Sequence, residues 1–552
     1  MLVLPAGKAG AAIRVVEVAN GASAASVASG AGLAPGSIFW IRGDGLGPAQ
    51  AVQAPAPYPK RLPDAAGGTR VLFRSTRTGR AFPAPLISSV SGQVVGVVPA
   101  GLPLGKYTAT AVYRNESASS EPFLVVRSSP GVFALSTTGA GPGVVQNYEL
   151  SGATVLNSLT RPARAGDSLL IWGTGLGEVS AQDRATIAAE DVDAGVWVAV
   201  GSHWIRPSYA GPAPGLPGVD QINVALPPGF VDKGCYVPLQ VTANGSSSNT
   251  VTIAVSTVPG TCEHPMGFSA EILQRLDAGG RLALGEVNLR RTESRGPYER
   301  PAPEIPNNGK GPLTIVIGSA AIRFSQADAL GVFPSSGIQP PAEPGGCRPL
   351  GPEVENYLGW ALVGSSPFLP LDAGPLVTAT DPGKGVLKFK KLADGEYPPW
   401  LLLSGAEEGV WRFAGAGGVD VGPFETQIRF PPTLVFSLHH PVNLKTPVDV
   451  TWPATALDDF QNVTIGLKVN VTIQDGHDTS PSASREVSCS APATRGRLTI
   501  PVEILQSLPS GNDGSGSITF DLDSKPVVFT AAGLEYGVVR ASVSQRWSIK
   551  VN

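Results

Sequence analysis

"APGSIFWIRGDGLG", residues 34–47, returns 130 residues further on as "RAGDSLLIWGTGLG", residues 164–177. Each copy is a polar turn, four or five apolar residues, and then Gly-x-Gly-Leu-Gly. Gly43, Gly45, Leu46 and Gly47 fall on Gly173, Gly175, Leu176 and Gly177. Arg42 falls on Trp172 and Asp44 on Thr174. A second pair follows at an offset of 128, "QVVGVVPAG" (93–101) on "QINVALPPG" (221–229). Then "GKYTATAVYRNESASSEPFLVV" (105–126) shares the plan of "GCYVPLQVTANGSSSNTVTIAV" (234–255), two strands around a polar turn and an alternating strand at the end. The first half of the chain is therefore a duplicated unit of about 130 residues. Short strands between regular turn signals predict a β-sandwich for each copy.

The shared glycines have a backbone explanation. The chain must turn tightly after the strand, with positive φ. Arg42 and Asp44 are not shared, so the Arg-Gly-Asp tripeptide (42–44) reads as a coincidence at a turn, not as an adhesion motif. A dinucleotide fingerprint needs Gly-x-Gly-x-x-Gly opening a helix. "GPAQAVQAPAPYP" follows instead, and its prolines forbid that helix.

Composition extends this reading to the whole chain. The 552 residues suggest about three to five domains. Gly (67) and Pro (52) break helices, and charged residues make up only 15%. Short Val/Ile/Thr-rich segments between Gly, Pro and Asn clusters predict an all-β chain of tandem immunoglobulin-like sandwiches with few short helices. A net charge of −3 without a basic tract argues against nucleic acid as a partner. No stretch approaches 18 consecutive apolar residues, so no membrane span is expected. The opening "MLVLPAGKAGAAIRVVEVANGAS" is a poor signal peptide, because its apolar stretch is short and Lys8 follows it. A trimmed signal, a misassigned start and an intracellular protein are all compatible with it.

A family becomes recognisable in the second copy. "PARAGDSLLIWGTGLG", "SYAGPAPGLPGVDQINVALPPGF" and "GCYVPLQVTANGSSSNTVTIAVS" follow one another in order. Together they resemble the uncharacterised C-terminal domain family of Solibacter-type acidobacterial secreted proteins. The matching positions are Tyr209, Ala210, Gly211, Pro214, Gly215, Gly218, Gln221, Asn223, Pro227, Ser248, Asn249 and Thr252. The resemblance covers about residues 20–256. The first copy departs from it, since "LISSVSGQVVGVVP" lacks the Tyr-Ala-Gly start and the Asn. The resemblance implies immunoglobulin-like sandwiches in extracellular proteins and brings no catalytic residues.

From Cys262 the texture changes. "LDAGGRLALGEVNLRRT" (276–292) reads as a turn and two strands, and "LDAGPLVTATDPGKGVLKFKKLADGEY" (371–397) repeats its Leu-Asp-Ala-Gly opening. "GVWRFAGAGGVDVGPFETQIRFPPTLVF" (409–436) reads as a strand pair around a Gly-rich loop. "PVEILQSLP" (501–509) is expected to form a short helix with Pro501 at its start. "LDAGP", "GVDVGPF" and "DVTW" more weakly resemble a segment that accompanies the same family. The expected domains are 1–128, 129–258, 262–433 and 434–552.

No His-Glu-x-x-His, Gly-x-Ser-x-Gly or Walker pattern appears. His439 and His440 are adjacent and would point to opposite faces of a strand. "IQDGHDT" (473–479) gathers Asp475, His477 and Asp478 in what reads first as an Asx-rich turn. Glu190, Asp191 and Asp193 are hard oxygen ligands that could hold a structural calcium, or simply a solvated acidic loop. Tyr397 and Trp400 flank two prolines in "YPPWLLL" with Trp411 nearby, a possible ring surface for sugar faces; the alternative is core packing. Trp172, Trp452 and Trp547 sit in strand patterns and read as core. Four cysteines without a CxxC pattern fit two disulfides or four buried thiols. Cys235 starts a strand and Cys262 lies just past the last strand of the second copy, so their linkage would tie that sandwich together. Cys347 and Cys489 then pair by elimination.

The expectation from sequence is a non-enzymatic, extracellular or cell-surface β-sandwich protein with a structural or adhesive role, partnered by envelope or matrix components or by copies of itself. The alternative is a polysaccharide-binding protein using the aromatic surface of the second half.

Overall fold

A computed structural model describes residues 12–59, 62–136, 138–177, 195–201, 203–296, 313–329, 347–350, 369–402, 406–438, 442–471, 474–475, 478–479, 483–506, 508 and 515–551. Of the described residues 52% are in strands and 4% in helices, and the fold is all-β, of tandem immunoglobulin-like sandwiches. It forms two compact units, divided between residues 274 and 275.

The first unit holds both copies of the repeat. In the first sandwich, Arg14–Asn20, Ile38–Asp44, Gln93–Val97, Leu86–Val90 and Val52–Gln53 lie side by side in that order. The facing sheet runs Phe123–Val125, Gly105–Tyr113, Arg70–Ser75 and Ala81–Pro83. Period-two alternation sends Phe39, Ile41, Phe73, Val94 and Ala109 inward. Phe39, Phe73 and Phe123 meet edge to face at 5.1 and 5.8 Å.

In the second sandwich one sheet runs Thr154–Leu156, Val145–Tyr148, Ser168–Thr174, Asp220–Ala225 and Tyr209–Pro212. The other runs His203–Ile205, Val196–Val200, Gly234–Ala243 and Ser246–Ser247, with Val251–Val255 also on Gly234–Ala243. Leu169, Ile171, Val198, Ile222, Leu239 and Ile253 fill the core. Two buried asparagines act as substitute backbone. Asn249 accepts from the Val132 N–H and donates to the Val132 carbonyl. Asn157 accepts from the Ala254 N–H and donates to its carbonyl. Each satisfies groups that an ordinary ladder would have paired.

The repeated glycines answer two needs. Gly45, Gly175 and Gly177 have positive φ, as a tight turn requires. Gly43 and Gly173 stand within strands, where a Cβ would come within 1.8 Å of the Arg14 carbonyl and 2.5 Å of the Gly131 carbonyl. The turn expected at Gly43 therefore begins one strand residue later. Arg42 lies over the Trp40 ring at 4.2 Å, and Asp44 pairs with Arg14 at 2.7 Å. Both charged ends of Arg-Gly-Asp are engaged along a strand, whereas the sequence reading placed the tripeptide at a turn and set it aside because Arg42 and Asp44 are not shared between the copies.

The second unit is organised around a ten-stranded sheet. Its main path is Cys347–Leu350, Ala483–Pro492, Phe460–Val471, Ser515–Ser524, Tyr536–Lys550, Leu282–Gly296, Leu313–Ala327 and Leu369–Pro370. Leu282–Gly296 is one 15-residue strand where the sequence suggested two, and its register with Tyr536–Lys550 is parallel. That pairing joins residues from either side of the expected cut at 433–434. Val539, Ala541 and Val543 pack with Val287, Phe324, Phe389 and Trp411, whereas Ile549 and Val551 pack with Phe436, Val450, Ile465 and Phe520. Two cores thus share one sheet. Between them Glu293, 4% exposed, takes hydrogen bonds from Arg291, Thr433 and Gln545. The short helix expected after Pro501 spans Val502–Leu505.

Both expected disulfides are present, Cys235–Cys262 and Cys347–Cys489. In the chain-entropy account a loop of 27 residues stabilises by about 3.5 kcal/mol and one of 142 by about 5. Cys347 and Cys489 are direct cross-strand partners, so the second bond holds the short edge strand to its neighbour.

Candidate ligand face

The outer face of the Ser168–Thr174 sheet carries its chemistry in rows set by strand register. Leu156, Gln146, Leu170, Asn223 and Tyr209 form one row across five strands. Trp172, Gln221 and Gly211 form the next, and Tyr148 and Ser168 belong to a third. Their inward neighbours Val145, Leu169, Ile171, Ile222 and Val224 are core, so alternation turns this polar set to solvent.

Two rings are anchored by their polar tips. The Tyr209 hydroxyl donates to the Pro212 carbonyl at 2.8 Å, so its ring runs along its own strand past Gly211, which has no side chain to obstruct it. Burial and the Asp220 charge push the Tyr209 pKa up, which keeps the hydroxyl a donor. The Trp172 Nε1–H donates to Gln146 Oε1 at 3.1 Å, so the indole reaches across the neighbouring strand. Tyr148, in the third row, stands 49% exposed.

Amides fill the space between. Gln221 Nε2 donates to Asn223 Oδ1 at 2.9 Å. That bond orients both groups and leaves the Gln221 carbonyl oxygen, an Asn223 N–H and the Gln146 NH₂ available outward. The arrangement presents ring faces alternating with both donors and acceptors, with the Asp220 carboxylate close enough to act on Tyr209. It suits a polyhydroxylated chain with apolar C–H faces better than an ion or a nucleophile-requiring substrate.

The sequence pointed elsewhere for this surface. Tyr397 is 4% exposed and donates to the Gly374 carbonyl at 2.6 Å. Burial, with the Asp372 charge, pushes its pKa up to about 12. Trp411 is fully buried, with Nε1 donating to the Glu407 carbonyl. Only Trp400 is open, at 42%, and its Nε1 bonds the Lys388 carbonyl. Two of the three rings are core, so they build no aromatic surface. Trp172, expected in the core, is instead half-buried on the outer face, whereas Trp452 is buried as expected.

"LDAGP" and "GVDVGPF" are interlocked turns. Asp372 N–H donates to Asp420 Oδ2, and the Asp420 and Val421 N–H groups donate to the Asp372 carbonyl. Lys391 pairs with Asp372 at 2.6 Å. This is packing, and it uses both carboxylates. Glu190, Asp191 and Asp193 lie outside the described residues, as do His439, His440 and His477. Among the described residues no group of three or more His, Cys, Asp or Glu could hold a metal ion. No described helix is long and apolar enough to cross a membrane.

No family model matches the chain. No curated protein matches it either. Solved structures with loose likeness include SGBP-B from a complex xyloglucan utilization locus in Bacteroides uniformis, at 10% identity over 71% of this chain and 86% of that one, TM-score 0.16. The FN1–FN3 domains of chicken CNTN1 match at 7% identity over 73% and 99%, TM-score 0.15. A candidate DNA-binding protein of Bacteroides vulgatus matches at 16% identity over 22% of this chain, which spans 50% of that protein's length, TM-score 0.15. Superpositions this loose carry no argument about a ligand.

Proposed function

We propose that the chain is a non-enzymatic, extracellular β-sandwich protein that adheres to a polysaccharide of an envelope or matrix, and that the outer face of the second sandwich binds it. The observation that carries this reading is the row geometry. Tip-anchored Trp172 and Tyr209 stand on either side of the Gln221 and Asn223 amides, and Gln146 lies on the strand beyond Trp172. Ring faces can stack on sugar C–H groups, while a few oriented amides select hydroxyls. Two disulfides support an oxidising compartment, in keeping with the resemblance to Solibacter-type secreted proteins.

The test uses the intact chain on an array of neutral polysaccharides. Gln221→Ala and Asn223→Ala should each weaken retention about tenfold, one good hydrogen bond apiece. Their melting midpoints should match the parent. Unchanged retention in both variants, or no retained polysaccharide, would overturn the reading and favour self-assembly through sheet edges.

A further inference from the structure

Between Asp64 and Glu116 the sequence holds no Asp or Glu, yet it holds Arg70, Arg74, Arg77, Arg80, Lys106 and Arg114. All six lie on the strands of one sheet of the first sandwich or in the turns between them. Three crowd one hairpin, "RSTRTGR" (74–80), in a chain where Lys and Arg together number only 41 of 552. The hairpin joins Arg70–Ser75 to Ala81–Pro83. The Ser75 N–H donates to the Arg80 carbonyl and the Gly79 N–H to the Ser75 carbonyl, each at 2.9 Å. The Thr76 N–H and hydroxyl both donate to the Lys106 carbonyl, which ties the turn to the next strand.

This fixed turn holds its guanidiniums against neutral groups. Val71 and Phe73 face the core, so Arg74 points outward. Its Nη1 donates to the Gly79 carbonyl at 3.2 Å, which bends it back to the turn. Arg80 lies over the Phe82 ring at 4.8 Å, and Phe82 meets Tyr107 edge to face at 6.2 Å. Tyr107 is buried; that burial raises its pKa while the Arg77 and Arg80 charges pull it back. Arg77 and Arg80 are therefore both close enough to one hydroxyl to act on it. All three arginines are exposed, and among the described residues none pairs with a carboxylate. Glu116 is opposite Tyr113 at the far end of that strand. Glu121, exposed beside Ser120 on the same sheet, pairs with none of them. Three like charges gathered without a counter-charge repel one another, and a bound oxyanion relieves that repulsion. A guanidinium stacked on a ring still offers the N–H groups at its edge.

We infer that the 74–80 hairpin binds the acidic groups of a polysaccharide, a carboxylate or sulfate being held by Arg77 and Arg80 with Arg74 as a third donor. Guanidinium bonds to such groups are charge-assisted and keep a fixed geometry. The surroundings favour a sugar chain over a nucleic acid. The cations form a cluster at one hairpin end, and the outward neighbours on the sheet are the hydroxyls of Thr108, Ser117 and Ser119, with no ring among them for base stacking. The corresponding strands of the second copy, Val196–Val200 and His203–Ile205, are joined by two residues without arginine. This site therefore belongs to the first copy and is separate from the amide face of the second.

The experiment is affinity electrophoresis of the full chain through gels holding polygalacturonate, dextran sulfate, uncharged dextran or duplex DNA, each read against a gel without polymer. Retardation in at least one acidic polysaccharide should exceed that in dextran, and the stronger of the two names the acidic group. Added salt should weaken it. Arg77→Gln and Arg80→Gln should each weaken it about tenfold, the scale of one charge-assisted bond. Arg77→Lys should recover part of the loss. Arg412→Gln removes an exposed arginine of the second unit and should change nothing. Equal retardation in dextran and both acidic gels, hairpin variants that migrate as the parent, or an equal loss in Arg412→Gln would each overturn the inference. Duplex DNA held more tightly than either acidic polysaccharide, with the same losses in the hairpin variants, would refute it in favour of a nucleic acid. Should Arg80→Gln lower the melting midpoint, Arg77→Gln decides.

Discussion

The two copies of the repeat use one scaffold face in opposite ways. In the first, the outward residues of Ile38–Asp44 and its neighbour are Ile38, Trp40, Val95 and Val97. In the second, the equivalent positions are Ser168, Leu170, Asn223 and Ala225. The first set is apolar and covered: Ile38, Leu62 and Val97 cluster with Tyr58, Phe133 and Val219. Phe133 and Val219 come from the second sandwich, so this face docks its neighbour. The second set is mixed, Ser168 and Asn223 being polar and Leu170 and Ala225 apolar, and none of the four is buried. Backbone plan and register were kept while two or three side chains decided between docking and binding.

The largest effect should come from giving the first copy the second's residue. Ile38→Ser removes an almost wholly buried side chain from the docked cluster and puts a hydroxyl in its place. A loss of about 3 kcal/mol is expected. Amide hydrogen exchange at Phe39 and Val94 would read it as lost protection. Protection unchanged there would mean the apolar cover contributes nothing and the comparison is superficial.

Acid should separate the copies next. Only the second has a His-capped end. His264 is stacked on Phe268 at 4.2 Å, accepts at Nδ1 from the Met266 N–H, and shares Nε2 with the Tyr236 hydroxyl. With Nδ1 accepting, the ring is neutral. Burial lowers its pKa from 6.5 to about 4. A depressed folded-state pKa means the unfolded chain takes the proton first. Stability is therefore full above about pH 6.5 and falls toward pH 4, by about 3 kcal/mol in all. Unfolding midpoints of the parent should drop across that window, and those of His264→Phe should drop less. Asp523, in the second unit, has the opposite sign. Desolvation and the Asp521 charge raise its pKa to about 7, so its contribution is present at low pH and lost as pH rises through 7. Its residue surface stays exposed, so solvent screens that effect and the His264 slope should dominate.

A smaller effect lies at the junction. Thr174 stands where the first copy has Asp44. Its hydroxyl accepts from the Ile38 N–H at 2.8 Å and donates to the Gly218 carbonyl at 2.6 Å. Thr174→Val keeps the shape and strands a buried N–H and carbonyl, for about 2 kcal/mol. The matching change in the first copy, Asp44→Ala, removes an ion pair whose partners are 68% and 47% exposed. It should move stability by less than about 1 kcal/mol. Chemical denaturation of the two variants side by side measures the contrast, and equal losses would contradict it.

Much of this was legible in the residues. The duplicated Gly-x-Gly-Leu-Gly announced two like sandwiches, because close backbone approach and positive φ both demand glycine. Alternation identified which residues face out. It could not say which outer face is covered by another part of the chain, and so Trp172 read as core and the Tyr397 and Trp411 rings as a surface. The parallel pairing of Leu284 with Tyr536 left no local trace, since its partners are remote in sequence and joined only by the fold.

The smallest change in stability should carry the largest change in function. Asn223→Val gives the second copy the residue that the first has at Val95. The site is half-buried, mid-strand and on an outer face, where a β-branched side chain sits well, so stability should stay within about 0.5 kcal/mol. The change removes the acceptor for Gln221 Nε2 and one outward N–H, and nothing in the core. Retention on neutral polysaccharide should weaken about tenfold while the melting midpoint holds. Retention that survives undiminished would show that the rings alone suffice and that the amides are ordinary surface. Retention lost together with the midpoint would show that Asn223 holds the sheet, and the contrast between a docking copy and a binding copy would then have to rest on Trp172 and Tyr209.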